Sequence, residues 1–465
     1  MTGVRSREVS GQDRVSAPEN LTHMSATIQS DLPAPRQRGR RSGRWLVALV
    51  LLVTVWGTAV WTCDYLADRG WENRRLLAAD RWDRWATTLS FGRTNWFRRL
   101  TLDRKLGRFE ALNSDSIRAR QAGVPEQRIT HELLLYSAQA GELDSPEATL
   151  SEIIRGDQIP GREIFEAFTN GAIANYQIEE ANYLLDNWEQ DYPTDPLPCL
   201  MRGRIAEHKN DWIESAAQYE RALQLLPTYG PAAYNLARVK LGQAQLKEAE
   251  TWYTRAAKDL ELSHPAWVGL AHCHRLAGEY PLAEQLLERV LDADVVTRGM
   301  AYRLVGDTAD SGRTSPLMER GELRLIQKEP AAAVADFEEA LREQPHNSAI
   351  RFHLASALRA AGRAADSRRE YEAVRIAREA LKNLTPLLER VRANPDDPEP
   401  RATLGNLFLN YISERQGEAW LHSALRVAPD FQPAHAALAL HYRKIIPQTP
   451  ELKQLSRFHA NAAGQ

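Results

Sequence analysis

The sequence predicts an all-α protein: a solenoid of stacked helical hairpins that follows a single transmembrane helix. Two observations carry this. A unit of 34 residues recurs, with four copies end to end from Arg162, Pro196, Gly230 and His264. Ahead of them, residues 45–63 read WLVALVLLVTVWGTAVWTC, 19 residues without a charge.

The N-terminal residues 1–43 are rich in Ser, Pro, Arg and Gln and show no helical or strand period, so they read as a disordered cytoplasmic tail. Arg36, Arg38, Arg40, Arg41 and Arg44 form a basic run immediately before the apolar stretch. At about 1.5 Å per residue, 19 helical residues cover about 28 Å, close to the hydrocarbon thickness of a bilayer. Trp45 and Trp61 stand at its two ends, where indoles favour the membrane interface. The arginines place the N-terminus on the cytoplasmic side and everything after Asp64 across the membrane. That is a single-pass inner-membrane protein with periplasmic repeats if the source is bacterial. A cleaved signal peptide would want a shorter leader and small residues before the cut. A lipoprotein cut ahead of Cys63 would not have Trp61 and Thr62 there.

Residues 64–161 read as divergent N-terminal helical repeats. Trp71, Trp82 and Trp85 at helix-like spacing read as core packing. Trp96, Gly107 and Phe109 fall in register, whereas Leu134, Gly141 and Ala148 fit only roughly. Four tandem units follow over 162–297. Their eighth residues are Thr169, Gly203, Ala237 and Ala271, their twentieth Ala181, Ser215, Ala249 and Ala283, and their twenty-fourth Leu185, Tyr219, Tyr253 and Leu287. Small side chains recur where two helices touch, and large ones where they fill the gap. Gly278 with Tyr280 marks a turn, and Pro193 and Pro227 stop second helices.

An insertion at 298–313, TRGMAYRLVGDTADSG, fits between two units without completing one, too short for a separate domain but long enough to bend the superhelix or form a contact loop. Two more units cover 314–381, with Gly321, Ala333 and Phe337, then Ala355, Gly362 and Tyr371 in register. A second insertion, 382–397, is expected to lengthen the preceding helix and end in a turn. A last unit and capping helices span 398–463, with Gly405, Ala424 and Pro429 in place.

These residues resemble tetratricopeptide repeats, with the best register over 162–297, 314–381 and 398–442. The resemblance implies a right-handed superhelix whose first helices line a concave groove. It also implies that places two, five, nine, twelve and thirteen of each unit face a partner. Those places hold Arg204, His208, Tyr234, Arg238, His272, Arg275, Phe352 and Arg359. Arginine beside aromatic side chains suits an extended peptide or a partner helix bearing carboxylates. Members that clamp a C-terminal carboxylate use Lys and Asn at set places. Here Leu200 and Arg204 occupy two of them and only Asn235 is similar, which disfavours that ligand.

Other chemistry has little support. Net charge is −2 at pH 7, which gives no electrostatic case for nucleic acid. Three cysteines with no CxxC, and no GxSxG, Walker, HExxH or Rossmann pattern, leave no cofactor, metal or small-molecule substrate to expect. His272, Cys273 and His274 are adjacent, so on a helix they diverge by about 100° per residue and cannot converge on one ion. The expected role is a non-catalytic, membrane-anchored scaffold or adaptor that holds a protein or peptide partner in its groove, for assembly of an envelope or membrane complex. The alternatives are a holdase-like export accessory with many weak clients, and a regulatory subunit of an enzyme complex. A catalyst hidden in 298–313 would have only Asp307 and Asp310 to work with.

Overall fold

The computed structural model describes residues 40–464 apart from 73–74, 91–94, most of 142–160 and 446–448, with the side chains of 40–50 and 71–72 also excepted. The expected tail therefore lies outside the described residues up to 39, as do Ala148 and the side chain of Trp71. The chain divides into two compact units, Met1–Gly57 and Thr58–Gln465.

The elements begin with α1 (Arg40–Glu72), α2 (Leu76–Leu89), α3 (Trp96–Lys105), α4 (Phe109–Gln121) and α5 (Glu126–Ala140). Four hairpins follow at the repeat period. They are α6 (Gly161–Ala174) with α7 (Ile178–Asp191), α8 (Leu197–His208) with α9 (Trp212–Leu225), α10 (Gly230–Gly242) with α11 (Leu246–Ala256), and α12 (Ser263–Ala277) with α13 (Tyr280–Leu291). A single helix, α14 (Val295–Leu304), comes next. Then come α15 (Ser311–Ile326) with α16 (Pro330–Glu343), and α17 (Ser348–Ala360) with α18 (Ala364–Leu381). After α19 (Leu384–Ala393), the pairs α20 (Pro398–Tyr411) with α21 (Glu414–Val427) and α22 (Gln432–Lys444) with α23 (Pro450–Ala462) complete the stack. Among the described residues there is no strand. The architecture of the described residues is an all-helical solenoid of stacked hairpins.

Within each hairpin the eighth and twenty-fourth residues meet. A Cβ added to Gly203 would fall on the ring of Tyr219, one on Gly321 on Phe337, and one on Gly405 on Leu421. The twentieth residue adds a polar contact where it is serine. Ser215 Oγ donates to the Gly203 carbonyl at 2.8 Å and Ser367 Oγ to that of Ala355 at 2.7 Å, so each buried hydroxyl is satisfied. The fifteenth residue makes the turn in left-handed backbone. Gly278 and Gly362 hold that place with φ of 81° and 78°, but Tyr176, Asn210, Ala244 and Lys328 hold it elsewhere with φ of 57° to 63°.

The N-terminal hairpins carry a weak repeat signature because they are held differently. Leu100 and Leu112 stand where small residues are usual, and both are fully buried. Buried charge fills the rest. Arg98 donates to Asp64, Asp68 and Asp83 at 2.7–2.8 Å. Arg104 lies between Glu132 at 2.7 Å and Glu163 at 2.5 Å. Burial lifts the Asp103 carboxyl to about 6 despite Arg108 and Arg99. Trp85 departs from the expectation of core packing, because more than half of it is exposed.

Both insertions are ordered. The first is α14 together with the start of α15. The second does not extend α18: the chain breaks at Lys382 and Asn383 and begins a separate helix, α19. In the second unit the two ends of the stack come together. Arg415 donates to Tyr136 Oη at 2.9 Å, Arg392 pairs with Glu179 at 2.9 Å, and Tyr176 meets Phe408 edge-on. Glu261 accepts the Ala78 amide at 2.7 Å, capping α2 from 183 residues away. Burial pushes that carboxyl up to about 7.

In the first unit, residues 51–57 of α1 are all exposed, Leu51, Leu52, Val53, Val55 and Trp56 among them. Among the described residues no helix is long and apolar enough to cross a membrane. The side chains of 45–50, which begin the expected span, lie outside the described residues.

Candidate concave site

The concave wall is built from α8, α10 and α12, whose first-helix positions the repeat register brings to one side. It is not empty. The segment Ala301–Val305 lies along it, with Tyr302 and Val305 buried. Leu304 and Val305 pack into the same apolar cluster as Tyr234, Leu236 and Tyr253. Asn235 Nδ2 donates to the Val305 carbonyl at 3.2 Å. The Arg204 guanidinium lies against Gly306, where a Cβ would collide with it.

The residues expected to face a partner are thus divided. Tyr234 is buried beneath the insertion and meets Tyr253 edge-on at 5.6 Å. Burial raises its phenol to about 12. Arg238 pairs with Glu207, which also accepts from Tyr219 Oη at 2.7 Å. Arg275 pairs with Glu319 and, at 2.5 Å, with Glu322, while His272 Nδ1 lies 3.0 Å from Glu319. Burial alone would raise the Glu319 carboxyl, but the hydrogen bonds and charges of His272 and Arg275 outweigh it and hold it low. Phe352 stacks edge-on with Tyr371 at 5.6 Å and stays partly exposed. His208 and Arg359 are exposed, and neither makes an ion pair among the described residues. The structure therefore gathers Arg204, Tyr234 and Arg238 around residues 302–307, draws His272 and Arg275 to α15, and leaves Phe352 and Arg359 further along.

The carboxylate Glu319 is the partner that the sequence reading lacked. Its signal was weak, one of two Glu on a helix preceded by an insertion. The other omission is the insertion itself as an occupant. The run Ala301, Tyr302, Leu304 and Val305 supplied apolar side chains with no hairpin of their own to bury them.

Two large cavities remain. One, of about 1850 Å³, is walled by Lys105, Arg162, Met201, Arg204, Arg255 and Lys258 among others. The second, of about 1960 Å³, is walled by Tyr136, Tyr176, Arg392, Arg401, Arg415 and Trp420 among others. Arg303 borders both and donates to the Gly107 carbonyl at 3.3 Å.

No group of three or more His, Cys, Asp or Glu could hold a metal ion among the described residues. His274 Nδ1 lies 2.6 Å from Glu279 and His272 faces Glu319, so the two flanking histidines serve different partners. The Cys273 thiol between them is buried, which raises it to about 12. Asp307 accepts from Thr308 N and from Ser311 Oγ, at 2.7 and 2.8 Å, at the start of α15.

Residues 324–379 match the tetratricopeptide repeat family profile. No curated protein matches the sequence. Solved structures similar to this chain include the APC/C hetero-tetramer Cut9–Hcn1, at 15% identity and a TM-score of 0.43, covering 85% of this chain and 67% of that one. PilW, a widely conserved type IV pilus biogenesis factor, is similar at 14% identity and a TM-score of 0.37, covering 48% and 94%. Yeast Tom70 is similar at 11% identity and a TM-score of 0.34, covering 88% and 93%.

Proposed function

We propose that this protein is a non-catalytic scaffold, anchored in a membrane by residues 45–63, that binds a segment of a partner protein within its curved stack. The observation that carries the reading is the size and lining of the two cavities. At about 1850 and 1960 Å³ they exceed the range of about 300–1,000 Å³ usual for small-ligand sites. Their walls mix arginine and lysine with aromatic and aliphatic side chains and with carboxylates such as Glu166, Asp259, Glu179 and Glu418, which suits an extended peptide of mixed charge. The partner site moves accordingly from the filled wall under Val305 to the open walls around Arg204, Arg162 and Lys258.

The anchor is supported by the uncharged stretch, the arginine run before it, and the exposure of the apolar residues among 51–57. It sets the repeats on the side opposite the N-terminus. Confinement at one surface raises the effective concentration of a partner in the same membrane.

The test is site-specific photo-crosslinking in intact membranes, with the reactive residue at Thr254, at Lys258 or at Ile213, which is exposed on α9 away from that cavity. Adducts of one discrete mass from Thr254 and Lys258, and none from Ile213, support the reading. Adducts from Ile213 alone would move the partner to the outer face. A ladder of many masses from all three positions would favour a holdase.

A further inference from the structure

The start of the second unit carries exposed aromatic side chains for which the packing of the fold gives no reason. Trp61 is 65% exposed, Tyr65 44%, Trp85 54% and Phe97 50%. They come from three different helices, and the register of those helices sets them at one height. A Cβ on Gly70 of α1 would fall 2.9 Å from the Ala79 nitrogen of α2. Asp64 and Asp68 of α1 converge with Asp83 of α2 on the single guanidinium of Arg98. Moving four residues forward in α2, from 79 to 83, thus moves about four residues backward in α1. The two helices run antiparallel. Extending that register puts Trp85 level with Asp64, and Thr88 level with Trp61. Phe97 adjoins Arg98, which reaches Asp64 at 2.8 Å, so it belongs to the same level. That level is where the uncharged stretch of α1 ends, at Cys63.

From this geometry we infer that the C-terminal end of α2 and the start of α3 meet the bilayer surface, with Trp85 and Phe97 seated in the headgroup zone beside Trp61 and Tyr65. The inference rests on the reading of 45–63 as a membrane span and names a second lipid contact beyond it. Tryptophan and tyrosine favour that zone because the ring is apolar while the N–H or O–H still meets water. The outward face of α2 fits the same surroundings. Arg81, Arg84, Trp85 and Thr88 are exposed on it, while Asp83 points inward to Arg98 and Asp80 is shared between Arg108 inside and Arg84 at 3.0 Å, which leaves Arg81 as the arginine without a carboxylate partner among the ion pairs of the described residues. Arginines at this depth reach phosphate groups, and the second oxygen of Asp80 is held by Arg108 inside the protein. The stack would then be fixed to the membrane through two helices and one buried guanidinium rather than tethered by one flexible stem.

The test uses the full chain in vesicles of phosphatidylcholine and phosphatidylglycerol. A nitrobenzoxadiazole probe is placed on cysteine in four variants, Val55→Cys, Trp85→Cys, Phe97→Cys and Ile213→Cys. The wild type, whose three cysteines are buried, measures background labelling. Quenching by nitroxide lipids then reads depth, and circular dichroism checks that each variant is folded. The expected result is quenching at Val55 by chain-centre nitroxide, quenching at Trp85 and Phe97 by headgroup nitroxide, and none at Ile213. Quenching at Val55 with none at Trp85 and Phe97 would overturn this inference and leave the span standing. No quenching at Val55 would overturn the span and, with it, this placement.

Discussion

Asn235 donates its side-chain amide to the backbone carbonyl of Val305, 70 residues further along the chain. The same amide also reaches the Pro231 carbonyl at 3.0 Å. A residue at a groove position that could have held a partner's backbone holds the protein's own. Replacing Asn235 with Ala leaves a buried carbonyl without its donor, at a cost of about 1–3 kcal/mol. Amide exchange over 302–307 should accelerate in that variant while α20 and α21 keep wild-type protection. Unchanged protection at 302–307 would show that the apolar contacts of Val305 alone hold the segment.

The contact between the eighth and twenty-fourth places sets the tolerance of each hairpin. Gly203→Leu forces a side chain into the Tyr219 ring and should lower stability by about 1–3 kcal/mol. Gly242, in the last turn of α10, has open space around the added carbon. Gly242→Ala should therefore gain about 0.5–1 kcal/mol from helix propensity. Denaturant melts of the two variants should move in opposite directions.

Ala244 occupies the turn position with φ of 61°. A left-handed backbone costs a residue with a Cβ about 1–2 kcal/mol, offset in part by the entropy that glycine loses on folding. Ala244→Gly should raise the midpoint of unfolding slightly, by up to about 1 kcal/mol. A loss of stability would mean that the Cβ makes a contact worth more than the strain.

The C-terminal cap depends on pH through a histidine pair. His435 Nε2 donates to the Pro429 carbonyl at 2.8 Å, so its Nδ1 accepts from His459 Nδ1–H at 2.7 Å. Burial, then the charges of His435 and His422, depress His459 from 6.5 to about 4. His422 is depressed by burial as well. The unfolded chain therefore binds the proton first as pH falls. The stabilising contribution is fully present above pH 6.5 and is lost between there and about pH 4. Melting temperature should fall across that window, and His459→Asn, which keeps a donor but does not titrate, should flatten the slope.

What the sequence made legible is what lies within one repeat. Gly203 against Tyr219 and Ser215 against the Gly203 carbonyl are separated by 16 and 12 residues, so a regular period reveals them. What it did not reveal is set by the curvature of the stack. Arg238 could be named as a groove residue, but not Glu207 as its partner. Arg275 meets Glu319 across two hairpins that α14 separates in sequence. Trp85 read as core because spacing along one helix says nothing about which side its neighbours leave open.

The meeting of Tyr136 with Arg415 changes how the molecule should come apart. An open array of hairpins touches only its nearest neighbours, so it can fray one repeat at a time from either end. Here residues 279 apart in sequence share a hydrogen bond, and Glu261 caps a helix near the beginning. Loss of one end removes contacts from the other, which couples the first hairpins to the last. The second unit is therefore expected to melt in one cooperative step. It should also fold more slowly than an open solenoid of equal length, because closure needs contacts of high sequence separation.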